Sequence, residues 1–465
     1  MTTQISSDPK ITLFKRDYVL SAQSIVWVIM IVAVLLRLLS AIYQGNAVTD
    51  LPGIYDQISY DGLARRVIEG HGFSFAEDHW PVTRGGEPTA HWSYLYTVYL
   101  VAVYKIFGVY PIIARIIQAI VTGIFQTWFT WLIGRRLFGQ TVGLIASAVS
   151  AVYIYFFYYA GGLVTEPFYI VSILWTFDAA FRIVHRSRDN QRYPLWQDWF
   201  ELGLAIGLTV LFRQLFLLFI PFLFLWVWWN FEERQSKEPK AGYLGKHNFH
   251  VPALKGLLLV GLVIVLMILP WTIRNYQVFD TFVLLNTNAG FAFYWSNHPI
   301  HGTHFMPLLS VPGQSYQSLI PPDLLVLNEG KLDKALLQEG IRIVLSDPVR
   351  YALLSFSRIE EYIRFWPSKD SSLLSNISRV GSFGILLPFM LFGLWSSSLR
   401  LRNPSYQGQR SELFLIYLFF VVYTLIHLLS WTLIRYRLPI DGFLVIFAAL
   451  SFETLSRKFI PVSWK

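Results

Sequence analysis

The 465-residue chain has no cysteine. That excludes disulfides, thiolate nucleophiles and Cys-ligated zinc or iron–sulfur centres. Charge is the second shortage. Asp, Glu, Lys and Arg together make up 14% of the residues, against about 25% in an ordinary soluble domain. So few charges cannot cover the surface of a soluble fold of this length. Neither an internal repeat nor a low-complexity segment is visible. Of the two charge signs the acidic one is scarcer, with 29 Asp and Glu against 38 Lys and Arg and a net charge of +9.

What is present is apolar and aromatic. Hydrophobic residues reach 54%, mean hydropathy is +0.46, and there are 17 Trp, 25 Tyr and 37 Phe. The expected fold class is an all-α polytopic membrane protein whose aromatic residues sit at two membrane interfaces. In such a protein a basic excess marks cytoplasmic loops, so the charge points to a bilayer and to no nucleic acid.

A spanning helix needs about 20 apolar residues. Runs at 22–44, 111–134, 141–160, 163–182, 253–271, 379–399, 411–431 and 434–455 meet that length, and 199–231 is long enough for two short spans broken near Arg213. The segment 91–108 is ambiguous until the basic residues are placed. With 91–108 lying in the interface, Lys10, Lys15 and Arg16, then Arg135 and Arg136, the Arg182–Arg192 group, the Arg234–Lys255 group, Arg400, Arg402 and Arg410, and Arg457, Lys458 and Lys465 all fall on one side. Its Tyr-rich composition and Lys105 suit an interfacial helix. The expectation is ten spans in the plasma (inner) membrane with both termini cytoplasmic. Residues 1–271 then form a first transmembrane part that includes an outer loop at 45–110. Residues 272–378 form an extracytoplasmic loop domain, and 379–465 a second transmembrane part. The second loop contains KLDKALLQEGIRIVL, with apolar residues at helical spacing.

This topology leaves a set of arginines at the outer membrane edge: Arg213, Arg274, Arg435 and Arg437, with Arg37 and Arg115 in or near spans one and two. An arginine at such a depth is costly unless paired or hydrated. It either snorkels to the headgroups or converges with others on a phosphate, whose oxygens match the guanidinium fork. Two carboxylates stand out against this basic edge. Asp56 opens IYDQISYDGLARRVIEGHGF, where Asp56, Tyr60 and Ala64 share a helix face. It reads either as a helix-start Asp favoured by the dipole or as a catalytic group. Glu166 precedes Pro167 in YYAGGLVTEPFYIV and reads either as a first-turn residue or as part of a site. His298, His301 and His304 have spacing that suits a metal, but Pro299 and Gly302 disrupt a helix there and no carboxylate is near, so no metal is assigned.

Taken in order, these residues resemble the GT-C class of membrane glycosyltransferases, in the branch of the protein O-mannosyltransferases and the lipid A aminoarabinose transferases. Asp56-Gln57-Ile58-Ser59-Tyr60-Asp61-Gly62-Leu63-Ala64 followed by Gly70 resembles the family's first-loop pattern. The interfacial helix at 91–108, RRLFG at 135–139, LVTEP at 163–167, LFRQ at 211–214, PWTIRNYQVFDTFVLLNTNAG at 270–290 and RYRLPI at 435–440 resemble later landmarks. Two departures stand near the place where an acceptor enters. Gln57 occupies a position where the family often has Glu, and His91-Trp92-Ser93-Tyr94 lacks the family's basic residue and Pro-Pro. Acceptor identity therefore does not carry over.

The resemblance implies an inverting transferase acting on the outer face with a polyprenyl-phosphate sugar as donor and no cofactor. Arg213, Arg274, Arg435 and Arg437 would hold the leaving phosphate, with Asn275, Tyr60 and His91 as further substrate-binding residues. Asp56 would take the acceptor proton, and Glu166 would orient the site. The rival readings are a secondary transporter, whose ionisable groups would lie near the midplane in repeated halves, and a lipid-linked glycan ligase or polymerase.

Overall fold

The computed structural model describes residues 10–13, 16–19, 21–51, 54–189, 193–232, 251–307, 309, 314–369, 371–400 and 409–459. The basic residues expected on the cytoplasmic side within 233–250 and 401–408 lie outside the described residues. The chain begins with a departure from the all-helical expectation, a small antiparallel pair formed by β1 (Lys10–Leu13) and β2 (Arg16–Val19). Everything described after it is helix, turn or loop, with isolated bridges in the first large loop.

Local sequence sets the helix ends. α1 (Ala22–Gln44) starts where the Ser21 hydroxyl accepts from the Ser24 N–H and stops at Gly45, whose φ of 56° favours glycine. In the first large loop come α2 (Asp56–Ile68) and α3 (Tyr94–Phe107). α3 has 14 residues, about 21 Å at the helical rise, too short to cross a bilayer. Pro111 then opens α4 (Pro111–Phe138) in the first turn, where proline is tolerated. α5 (Gln140–Val152) and α6 (Ile154–Gly161) meet at a 48° bend at Tyr153. α7 (Glu166–Ser187), α8 (Trp196–Phe212), α9 (Ile220–Asn230) and α10 (Val251–Phe279) complete the first part.

The second large loop holds α11 (Ala289–Asn297), α12 (Glu329–Ser346) and α13 (Pro348–Ile363). Asn328 caps α12 and Asp347 caps α13, each accepting from the backbone N–H three residues on. α14 (Leu373–Ser378) leads through a π-turn into α15 (Ile385–Arg400), followed by α16 (Arg410–Leu429) and α17 (Leu438–Phe459).

Among the described residues seven helical runs are long and apolar enough to span, and the bent α5–α6 pair makes an eighth if counted as one span. The expected ten spans are therefore corrected to seven or eight. The difference lies at 199–231. α8 has 17 residues and α9 has 11, about 25 Å and 16 Å long, either side of a 3-10 turn at Gln214–Leu218. A hydrocarbon core is about 30 Å thick. The chain is a multi-pass membrane protein by these helices.

α7 and α17 form the centre. In each, 83% of the most apolar window is buried, against 28% in α1. Phe177 on α7 packs edge-on against Phe419 of α16 and beside Phe443 of α17. Small residues let helices touch. A Cβ on Gly134 of α4 would lie 3.0 Å from the Gly143 Cα of α5. Arg37 is not at the headgroups. It is fully buried between α1 and α4, donating to the Ala33 carbonyl and to Gln126 Oε1 at 3.1 Å.

Both large loops lie at one end of the bundle and interlock. The buried Glu329 carboxylate accepts from the Thr83 hydroxyl at 2.8 Å, the Ala90 N–H at 2.7 Å and the Thr287 hydroxyl. Arg84 donates to the Leu325 carbonyl at 2.7 Å. α13 is pinned beside them by Arg358, which reaches the Ser296 and Leu428 carbonyls.

Candidate active site

Four of the residues singled out from the sequence meet beneath the interlocked loops. Asp56 is the first residue of α2 and Glu166 the first of α7, each where a helix N-terminus favours a negative group. Pro167 fits the first turn of α7 and so fixes Glu166 at its mouth. Arg213 caps α8 with an extended backbone, and Arg435 sits in the 3-10 turn Ile434–Arg437 ahead of α17.

Their side chains alternate in sign. Arg435 grips Asp56 with both terminal nitrogens, Nη1 to Oδ2 at 2.9 Å and Nη2 to Oδ1 at 3.2 Å. Its Nε faces Glu166 Oε1 at 3.5 Å. Arg213 donates through Nη2 to the same Glu166 oxygen at 2.5 Å and through Nε to the Thr165 hydroxyl at 3.1 Å. Tyr436 lies between the two guanidinium groups, with its ring 5.3 Å from Arg213 and 5.5 Å from Arg435. Two carboxylates thus neutralise two guanidinium groups in a site where an unpaired charge would be costly. Glu166 is almost fully buried, whereas the Asp56 side chain keeps 22% exposure. The cluster offers a carboxylate open to an incoming hydroxyl beside two forks able to take phosphate oxygens.

The other expected residues are elsewhere. Arg437, two positions from Arg435, pairs with a different carboxylate, Asp441, at 3.0 Å. The structure does not bring it to the Asp56–Glu166 cluster; its partners are Asp441 and the Tyr362 carbonyl. Arg274 and Asn275 also stand outside that cluster. Arg274 donates to the Thr89 carbonyl and the Tyr94 hydroxyl, and Asn275 accepts from Tyr94 at 2.5 Å while donating to the Val283 and Leu285 carbonyls. Together they clamp α3 to α10, with Trp271 stacked on Tyr94 at 4.1 Å. Tyr60 is buried on the second turn of α2 against Trp92 and Tyr96, and burial raises its hydroxyl well above the usual range. It lines the neighbourhood of Asp56 without joining the ion pairs. His91 donates its Nδ1–H to the Thr287 carbonyl, 3.1 Å away, and burial lowers its imidazole below the usual range.

Gln57 and Arg115 explain one another. Gln57 is fully buried, its Oε1 accepting from Arg115 at 3.1 Å, and Arg115 also donates to the Gly45 and Ala47 carbonyls. Asp61, one turn beyond Asp56, accepts from the Tyr104 hydroxyl at 2.6 Å and from Arg65 at 2.7 Å. His298 and His301 are engaged locally, with the Ile300 N–H and the Trp295 carbonyl. Two groups near the site escaped the sequence reading. Glu329 appears in a plainly amphipathic helix, and nothing in its spacing marks it as buried. His79 lies in a turn-rich loop, yet its Nε2 stands 2.8 Å from Ser59 Oγ on α2.

Comparison with known proteins bears on the fold that carries this geometry. Residues 94–273 match the family model described as dolichyl-phosphate-mannose-protein mannosyltransferase. That stretch runs from α3 into α10 and includes Glu166 and Arg213. No curated protein matches the chain in sequence. Among solved structures, the oligosaccharyltransferase of Archaeoglobus fulgidus in its apo form is 14% identical with a TM-score of 0.57, over 95% of this chain and 51% of that one. The same archaeal enzyme, solved with an inhibitory peptide and a dolichol-phosphate, is 13% identical with a TM-score of 0.54, over 94% and 50%. The chain therefore spans about half the length of those structures and shares their fold. ArnT from Cupriavidus metallidurans, solved with undecaprenyl phosphate, is 12% identical over 94% of this chain and 79% of that one, at a TM-score of 0.38.

Proposed function

We propose that this chain is a GT-C-type membrane glycosyltransferase that moves a sugar, with inversion, from a polyprenyl-phosphate donor to an acceptor hydroxyl at the outer face of the plasma (inner) membrane. The observation that carries the reading is the alternating chain Asp56, Arg435, Glu166, Arg213, held by two ion pairs of 2.9 Å and 2.5 Å. The donor class is supported by the matched family, whose description names a lipid-phosphate sugar.

The acceptor oxygen attacks the anomeric carbon as the bond to the phosphate oxygen breaks, and the bonding pair leaves on the phosphate. Arg435 and Arg213 stabilise that charge in a site of low dielectric. Asp56 takes the hydroxyl proton. Attack opposite the leaving group inverts the anomeric centre. Glu166, bonded to both guanidinium groups, keeps the forks aimed while the phosphate replaces Asp56 on Arg435. A carboxylate released from its cation is the better proton acceptor.

Purified protein in detergent, given a polyprenyl-phosphate sugar, should release polyprenyl phosphate. A protein that moves the lipid or sugar with the glycosidic bond intact would be a transporter. One that turns over only lipid-linked oligosaccharide would be a ligase or polymerase. Either result overturns the proposal.

A further inference from the structure

The interlocked loops frame an open cavity of about 440 Å3, lined among others by Asp78, His79, Trp80, Arg84, Glu87 and Glu329. A second hollow of about 270 Å3 shares Arg84, Glu87 and Glu329 with it. The larger volume falls within the range of about 300–1,000 Å3 found for small-molecule sites. We propose that this cavity binds the acceptor and that the acceptor is a neutral, hydroxyl-rich glycan. The acceptor role rests on the transferase reading above, whereas the sugar site stands on the cavity itself.

Four features support it. The first is an aromatic platform. Trp80 lines the cavity and retains 36% exposure, while its indole is stacked on the buried Trp295 at 4.8 Å and flanked edge-on by Tyr316 at 6.1 Å. A rigid, partly open indole offers the apolar C–H face of a sugar ring a large contact at little entropic cost. The second is charge. Asp78, Glu87 and Glu329 outnumber Arg84, and Arg84 is already engaged by Glu87 at 3.6 Å and by the Leu325 carbonyl. His79 adds no cation, because burial lowers its imidazole below the usual range. An acidic lining repels a phosphorylated or carboxylated acceptor.

The third is hydrogen-bonding capacity. Asp78 is held in place by the Gly85 N–H at 2.9 Å, and Gln317 also lines the cavity. Carboxylate and amide groups of this kind accept from or donate to sugar hydroxyls. The fourth is position. His79 is shared between the cavity and α2, meeting Ser59 at 2.8 Å. Ser59 lies three residues beyond Asp56, on the neighbouring turn of the same helix. Glu329, tied to Thr83, Ala90 and Thr287, forms a floor that holds both loops around the cavity.

The test is saturation-transfer NMR on the full-length protein in detergent, with methyl glycosides of glucose, galactose and mannose as neutral probes and glucose 6-phosphate as the anionic one. The expected result is transfer to ring protons of at least one methyl glycoside and none to glucose 6-phosphate. Trp80→Ala should weaken glycoside binding by about tenfold or more, the scale of a lost aromatic contact. Trp80→Phe, which keeps the packing on Trp295, should retain most of it and serves if the alanine variant does not fold. Glu87→Lys on the exposed rim should admit glucose 6-phosphate. Three results would overturn the proposal: no glycoside binding to folded wild type, equal binding in wild type and folded Trp80→Ala, or glucose 6-phosphate bound at least as well as the glycosides. The readout uses no donor. Intact glycoside binding without donor cleavage sinks the transferase reading and leaves the sugar site. Donor cleavage without glycoside binding sinks the site alone.

Discussion

Arg435 and Arg437 stand two residues apart on one 3-10 turn, and each meets a carboxylate, yet the two environments differ in the property that matters for chemistry. Around Arg437 every neighbour closes in. Asp441 accepts from it at 3.0 Å, Tyr362 supplies a carbonyl at 2.7 Å, the Phe383 ring lies 3.3 Å from the guanidinium carbon, and the second Asp441 oxygen is filled by the Tyr153 hydroxyl. The pair joins the bend between α5 and α6 to α17 and α13, with side-chain exposures of 2% and 0%. Around Arg435 the pairing is shared instead of closed. One guanidinium serves two carboxylates, Glu166 serves two guanidinium groups, and Asp56 and Arg213 keep 22% and 18% exposure. A closed pair resists exchange. A shared one at the edge of a cavity-bearing loop layer can trade a carboxylate for a phosphate.

The largest effect should come from opening the closed pair. Asp441→Ala leaves Arg437 buried without its counter-charge, a loss of about 3–5 kcal/mol from a total stability of about 5–15 kcal/mol. Thermal unfolding followed by size-exclusion in detergent should show little folded protein. The double change Arg437→Met with Asp441→Leu should recover folding and donor cleavage. Recovery of folding without cleavage would return Arg437 to the site.

In the shared cluster the expected losses are smaller in stability and larger in activity. Arg435→Ala should weaken donor use by about 2–5 kcal/mol, as for truncating a buried charged contact, and appear chiefly in the KM for the lipid-phosphate sugar. Arg435→Lys restores charge without the bidentate fork and should recover part of it. Asp56→Asn should keep donor binding and reduce turnover by about 100-fold or more, the range of a lost general base. An Asp56→Asn enzyme with near-normal kcat would remove Asp56 from the chemistry and leave Glu166 as the carboxylate to test.

The contrast also explains what could be read from the chain. Glu166, Arg213 and Arg435 were legible because each breaks an apolar pattern at a helix end, where a charge needs a partner, and Asp56 because it opens a helix just beyond the first span and shares a face with Tyr60. Arg437 satisfied the same criterion. Only the structure shows that the two arginines, Arg435 and Arg437, take different carboxylates. Arg274 and Asn275 sit in the most distinctive motif of the chain, and their hydrogen bonds to Tyr94, which clamp α3 to α10, could not be read from that motif. Glu329 was illegible because its partners Thr83, Ala90 and Thr287 come from distant segments. The span count failed at 199–231 because hydropathy measures apolar length. The turn after Arg213 divides that length into helices too short to cross.

The smallest effect belongs to Asp61, and it is the control that makes the Asp56 result interpretable. Helical spacing puts Asp61 about 140° around from Asp56, away from the cluster, and the structure gives it separate partners. Tyr104 donates to one oxygen at 2.6 Å and Arg65 reaches the other at 2.7 Å. Burial and the adjacent Asp61 charge both raise the Tyr104 hydroxyl, so it remains a donor across any practical assay pH. In Asp61→Asn the amide oxygen can keep accepting from Tyr104. What is lost is the contact with Arg65, whose side chain is 44% exposed. Exposed pairs of this kind contribute about 0.2–1 kcal/mol. Asp61→Asn should therefore lower thermal stability slightly and leave kcat and the donor KM near wild type. Asp61→Leu, which also removes the acceptor for Tyr104, should cost more in stability, about 1–3 kcal/mol for a buried donor left without a partner. If Asp61→Asn lost turnover while Asp56→Asn kept it, the α2 register would be inverted with respect to the chemistry, and the shared cluster around Arg435 would become a second structural strut.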